Sequence, residues 1–135
     1  MTDIRNAGMI ISLPIEDRPR SYAFYQEALG LKPVGEPDQD GIPEPLQFAL
    51  ADGVNLMCIP TGGFGWVLGN QPAAPRGQSE CILSLHVDTE AAVDAMAAKA
   101  VAAGAVQVTA PTRKPWAYLA TFTDPDGHLW MVETT

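Results

Sequence analysis

A chain of 135 residues and 14.4 kDa has room for one ordinary domain or for two repeated halves of about 65 residues. Residues of the AVILMFWYC set make up 47% and charged residues 18%, which excludes a disordered chain. Sixteen acids against eight bases leave a net charge of −8; nucleic acid and anionic membrane surfaces are thereby excluded as partners, whereas a neutral or cationic small molecule is not repelled.

No apolar run reaches the ~18 residues of a membrane span, and the opening residues 1–8 lack the apolar core of a secretion signal. Two cysteines, Cys58 and Cys81, make no disulfide framework, so a reducing cytoplasm is the expected location.

In chain order, Met9–Ile15 is a short apolar run with β-branched residues, the pattern of a strand. Asp17 offers an N-cap, Pro19 falls in the first turn, and Phe24, Ala28 and Leu29 recur at helical spacing before Gly30. These signals predict a helix over Arg18–Leu29. Strands follow at Leu31–Val34, Leu46–Leu50 and Val54–Pro60, the last two joined through Ala51-Asp52-Gly53, an Asp-Gly hairpin signal. Gly and Pro gather in 35–45 and in 60–77, which reads as two loops. Beyond them, Cys81–Val87 predicts a strand, Asp88 or Thr89 a helix cap, and Glu90–Ala103 an Ala-rich helix with Val93, Met96 and Ala100 on one face. Gly104 ends that helix, and strands are predicted near Val106–Thr109, over Tyr118–Thr123 and over Leu129–Thr134, with Asp124-Pro125-Asp126-Gly127 as the last turn.

Each half therefore reads β-α-β-β-β, and the halves overlay. Ile11-Ser12-Leu13 matches Leu83-Ser84-Leu85, Leu29-Gly30 matches Ala103-Gly104, and Phe48, Asp52-Gly53 and Met57 match Phe122, Asp126-Gly127 and Met131. Ordered blocks at a nearly constant offset of 72 to 74 residues imply duplicated structure. The predicted division is a first module over 8–60, a linker over 61–79 and a second module over 80–135.

Paired βαβββ modules, with SYAFYQEALGLKPV after the first strand and FTDPDGHLWMVE at the end, resemble the vicinal oxygen chelate superfamily. That group includes glyoxalase I, extradiol dioxygenases, fosfomycin resistance proteins and bleomycin resistance proteins. The likeness runs from Met9 to Glu133. It implies an α+β fold in which two βαβββ modules, related by a pseudo-twofold repeat, form curved mixed sheets enclosing a cleft, commonly within a homodimer.

In metal-dependent members of the group, His and Glu ligands come from the first and last strands of each module. Carried over by motif, those positions are Ile10, Met57, Ile82 and Met131 here. Alkyl and thioether side chains do not hold hard divalent ions, so no metal and no other cofactor is expected. The same substitution lines the cleft with apolar, adaptable surface, as the resemblance to metal-free bleomycin resistance proteins also implies. Among neighbours, Glu133 lies two residues beyond Met131, on the same side of its strand. His86 lies four beyond Ile82, or ~13 Å along a strand, which places it far from the ligand position.

The remaining candidates carry two readings each. Phe64 and Trp66, in Thr61-Gly62-Gly63-Phe64-Gly65-Trp66, make either an aromatic lid with glycine hinges or a cap on the core. Trp116 and Tyr118, after the basic stretch Arg113-Lys114-Pro115, either flank a ligand or pack at an edge. His86 is a conceivable general base or a structural histidine, while His128 flanks a turn. Glu133 either awaits a cationic head or sits at the solvated end of its strand. Cys58, out of phase with Met57, is expected to be buried and inert. Glu36, Asp38, Asp40 and Glu44 read as a solvated acidic loop.

The leading expectation is a metal-independent protein whose cleft, lined by Ile10, Met57, Ile82, Met131, Glu133, Trp66, Trp116, Tyr118 and His86, binds a small apolar, neutral or cationic molecule, with drug or toxin sequestration as one such role. Two alternatives stay open: a metal-dependent lyase or isomerase of glyoxalase type, or a dioxygenase; and a dimeric interaction protein without a small ligand. No catalytic residue is assigned.

Overall fold

A strand whose alternate residues are apolar buries one face and leaves the other to water or a ligand, and the helix that follows it has to cover the apolar face. This chain does so twice. The computed structural model describes residues 3–135, in which a single 3-10 turn at Ile4–Asn6 precedes β1 (Met9–Ile15), α1 (Arg18–Leu29), β2 (Lys32–Val34), β3 (Leu46–Ala51), β4 (Val54–Pro60), α2 (Thr61–Leu68), β5 (Leu83–His86), α3 (Glu90–Ala102), β6 (Val106–Arg113), β7 (Tyr118–Thr123) and β8 (Leu129–Thr134). Two four-stranded mixed sheets result, with strand orders β1-β4-β3-β2 and β5-β8-β7-β6. The fold is α+β, and the duplicated βαβββ plan holds. Two compact units form, one from the chain up to Gln26 together with Gly30–Ala73, the other from Glu27–Leu29 together with Ala74–Thr135. None of the described helices is long and apolar enough to cross a membrane.

In the first unit, β1 pairs parallel with β4, bringing Ser12 beside Met57 and Leu13 beside Cys58. β3 runs antiparallel to β4, with Phe48 opposite Leu56 and Gln47 opposite Met57. Leu46, Phe48, Leu56 and Cys58 share one face and are buried, and the Tyr25 ring of α1 sits 5.5 Å from that of Phe48. Cys58 is thus buried in the core, as anticipated. Asp17 caps α1 by accepting from the Arg20 amide at 3.0 Å. Gly30 ends the helix in the left-handed conformation, φ 66°, which L side chains rarely adopt.

The acidic loop is not simply solvated. Arg18, in the first turn of α1, donates to Asp40 at 2.7 Å and to the Pro43 carbonyl at 2.7 Å, and it pairs with Glu44 at 3.1 Å. Two of the four loop acids are therefore tied to one arginine, a long-range partner that no local pattern announces.

A larger difference lies at Thr61–Leu68, predicted as loop and observed as α2. Three glycines in eight residues cost about 1 kcal/mol each in a helix. The helix lies beside β1 and β4 but buries none of its residues. Gly63 packs closely on β4: a Cβ there would stand 3.3 Å from Ile59 Cγ2. The glycines are helical residues, not hinges.

The second unit repeats the scheme. β5 pairs parallel with β8, Ser84 beside Met131 and His86 beside Glu133, and β7 lies antiparallel to β8 with Phe122 opposite Trp130. Val93, Ala97 and Ala100 of α3 are buried, with Met96 only half-buried, and α3 covers β6, β7 and β8. Thr89 rather than Asp88 caps α3, accepting from the Ala92 amide at 3.0 Å. β6 runs to Arg113, past the predicted Thr109, through two register shifts. β5 is shorter than predicted, and Cys81 and Ile82 fall before it.

The turn between β7 and β8 is built on Asp124. Its buried carboxylate accepts from the amides of Asp126 and His128 at 3.0 Å and from Trp130 Nε1 at 3.3 Å. Trp130, wholly buried, thus has its indole N–H satisfied inside the core. Arg76 donates to the Pro125 carbonyl and stands 3.9 Å from Asp126, fastening the segment before β5 to the same turn.

At the surface, Tyr118 Oη donates to Asp94 of α3 at 2.6 Å, and Arg113 pairs with Glu90 while lying over the Tyr118 ring.

Two outcomes are expected from this description. Asp124→Ala strands two buried donors and one part-buried donor and should lower stability by about 2–3 kcal/mol, read as a fall in the urea midpoint at unchanged slope. The hydrogen bond to Asp94, then desolvation and the nearby carboxylates, raise the Tyr118 pKa above the ordinary phenol value against the opposing Arg113. A raised folded-state pKa means that the contribution is complete at neutral pH, below the unfolded phenol value, and is lost as pH climbs through the folded value. The margin of wild type over Tyr118→Phe should accordingly be constant near neutrality and shrink in alkali, with Tyr118 ionising late in an ultraviolet titration.

Candidate functional site

Strand parity divides each sheet into a helix-covered face and an open one. On β8, Trp130, Val132 and Thr134 are buried, while Leu129, Met131 and Glu133 are half-buried on the other side. On β4, Leu56 and Cys58 are buried, and Met57 is half-buried on the opposite side. The open faces are the places where side chains remain free to meet a ligand.

In the first unit, the open face carries a row of Ser12, Met57 and Gln47, one residue from each of three adjacent strands. The next row holds Ile10 beside Asn55, and Asn55 Nδ2 donates to Gln47 Oε1 at 3.4 Å. Ile10 is 55% exposed. Ile10 and Met57 are therefore on one face but in successive rows, and the residue beside Met57 is Ser12.

The second unit presents the matching row of Ser84, Met131 and Thr121, and beyond it the row of His86, Glu133 and Leu119. Ile82 precedes β5, two residues before Ser84, and is exposed. The equivalence of Ser12–Met57 with Ser84–Met131 is the overlay of the two halves expressed in strand register. Sequence reasoning did not single out Ser12, Ser84, Gln47 or Thr121 as site residues; the signal available was the alignment of Ser12 with Ser84.

His86 remains four residues from Ile82 but lies close to Met131, another of the carried-over positions. Its neighbour across the parallel pair is Glu133, so it stands one row from Met131. Counting along the chain from Ile82 does not show this nearness, because the stagger between β5 and β8 is not encoded locally. Neither His86 nor Glu133 makes a side-chain hydrogen bond or ion pair among the described residues. On the strands of this sheet, Glu133 is the formal charge of the open face, since Arg113 and Tyr118 lie with α3 on the other.

Tyr118 is thereby removed from the candidate set: its hydroxyl is turned to Asp94 of α3, away from Met131 and Glu133. Trp116 lies in the tight turn between β6 and β7, closed by the Lys114 amide on the Ala117 carbonyl at 2.8 Å, and is 66% exposed. Trp66 stands on α2, 85% exposed, with Phe64 half-buried. Neither tryptophan caps a core.

The donor set does not fit a hard divalent ion. Ile10, Met57, Ile82 and Met131 offer alkyl carbon and thioether sulfur. Among the described residues no group of three or more His, Cys, Asp and Glu lies close enough to share an ion.

Comparison with known proteins agrees with the topology. Solved structures with the same fold include a hypothetical protein from S. aureus, at 25% identity over 99% of this chain and 96% of that one, TM-score 0.80. A glyoxalase-related enzyme from Fulvimarina pelagi aligns at 24% identity over 96% and 88% of the two chains, TM-score 0.80. TnmS3, an antibiotic binding protein from Streptomyces sp. CB03234, aligns at 25% identity over 94% and 93%, TM-score 0.65. No curated protein matches significantly. The family match covers residues 10–132, nearly the full span of both sheets, and with the duplicated βαβββ topology it identifies the chain as a member of the Glyoxalase/Bleomycin resistance protein/Dioxygenase superfamily.

Proposed function

We propose that this protein binds a small, largely apolar molecule with a cationic or hydrogen-bond-donating head, without a metal ion, and that it sequesters that molecule rather than transforming it. The observation that carries the reading is the open face of the second unit, where Met131 supplies an adaptable apolar floor and Glu133 a half-buried carboxylate with no cationic partner among the described residues. A carboxylate in such surroundings is stabilised by a bound donor or cation. Apolar walls supply most of the affinity in sites of this kind, and the few polar groups set orientation. The net charge of −8 favours the approach of a cation. The similarity to an antibiotic binding protein at 25% identity supports the binding of a small molecule. Alkyl and thioether groups at the four positions carried over from metal-dependent relatives support independence from metal.

The reading includes a cytoplasmic homodimer. Cys58 and Cys81 are free thiols, which suits a reducing compartment. Each sheet has unpaired edges, and on the edge strand β6 Val106 and Val108 are largely exposed, surface that a second chain would cover.

Protein purified without chelators should contain no stoichiometric zinc, nickel, manganese or iron; one equivalent per chain refutes metal independence. In a thermal-shift screen, apolar cations should raise the melting temperature, because they bind only the native state. For a cation found in that screen, Glu133→Gln should weaken binding by roughly 1–3 kcal/mol in calorimetry, and Met131→Glu should weaken it more by charging the floor. Unchanged affinity in both variants would move the site off this face. Sedimentation at micromolar concentration should give twice the 14.4 kDa chain mass.

A further inference from the structure

The head group can be specified further if the open face of the second unit is the ligand-binding face, as read above. His86 and Glu133 are register partners on parallel strands. Neighbouring strands lie about 4.8 Å apart and partners project to the same side, so imidazole and carboxylate stand next to each other. Neither group is engaged by another side chain among the described residues. Leu119, on the far flank of Glu133, is buried, so this side of the carboxylate is dry. Met131 occupies the adjoining row.

We propose that His86 and Glu133 act as a two-point couple for a vicinal amino alcohol, an ammonium group with a hydroxyl on the neighbouring carbon, whose apolar body lies over Met131. The carboxylate takes the ammonium, because it accepts hydrogen bonds and carries the compensating charge. The imidazole takes the hydroxyl. A neutral imidazole has one donor and one acceptor nitrogen, and a hydroxyl is both donor and acceptor, so the two match whichever nitrogen holds the proton. Adjacent carbons place the two heteroatoms about as far apart as side chains on neighbouring strands can converge upon. A head with its own carboxylate is disfavoured, since it would face Glu133 at close range.

Three probes of one size separate the contributions: phenethyl alcohol, phenethylamine and phenylethanolamine, each titrated into the full-length protein while backbone amide and methionine methyl resonances are followed by NMR. Phenylethanolamine should bind roughly 3- to 10-fold more tightly than phenethylamine, the range of one neutral hydrogen bond, with the shifts centred on Ser84–His86 and Met131–Glu133. His86→Ala should abolish that preference, bringing phenylethanolamine down to the affinity of phenethylamine for the same variant, whereas His86→Gln, which keeps a donor and an acceptor, should retain part of it. Glu133→Gln should reduce both amines to the affinity of phenethyl alcohol. Both residues are outside the core, and an unchanged amide spectrum will establish that the variants fold. Equal binding of the two amines to the wild type, or a preference that survives His86→Ala, overturns the couple. If phenethyl alcohol binds at Met131 and neither polar group adds affinity, the couple fails while the apolar face stands. Absence of shifts near Met131 with all three probes overturns both.

Discussion

Parallel pairing between the first and last strand of each unit is the constraint on which the rest of this structure depends. A parallel pair cannot be closed by a tight turn, so a crossover has to leave the sheet and return. In each unit α1 or α3 and two further strands occupy that crossover, and the helix lies on the face that the apolar residues present. Once β1 lies beside β4 and β5 beside β8, alternation commits every other residue. Leu56, Cys58, Trp130 and Val132 go to the core, and Met57, Met131 and Glu133 to the open face. A slip of one residue would exchange the two sets.

Polar residues outside the open faces serve mostly to hold loops in place. Asp124 closes its turn and satisfies the Trp130 indole. Arg18 gathers the acidic loop, and Arg76 fastens the segment that leads into β5. The cluster of Arg113, Glu90, Tyr118 and Asp94 ties α3 to the sheet at its surface. His86 and Glu133 have no such duty among the described residues, and they share one row of the second sheet.

The family membership fits this division of labour. Members that carry metal put charged ligands at positions occupied here by Ile10, Met57, Ile82 and Met131, according to the motif correspondence. Ile10, Met57 and Met131 lie on the faces that the core does not use. Function in such a fold resides in the exposed rows and not in the topology.

Most of the elements were legible in the sequence. Periodicity and local turn chemistry located β1, α1, β4, β7 and β8 to the residue, and Asp17, Thr89, Gly30 and the Asp-Gly turns acted where their local preferences put them. These are short-range signals, set by neighbours within a few residues. The duplicated blocks likewise disclosed that Met57 and Met131 are equivalent, and parity alone put Glu133 with Met131 and Cys58 on the opposite side from Met57. What lay beyond reach depends on contacts between residues distant in the chain. A glycine-rich segment forms α2 beside β1 and β4, against its own propensity. Tyr118 turned to α3 because Asp94 is there, and the stagger of β5 on β8 set His86 beside Glu133. The sequence by itself determined the two sheets and which residues could face outward. Only tertiary structure decided which of those residues stand side by side, because strand register is a non-local quantity fixed by packing and not by any single segment.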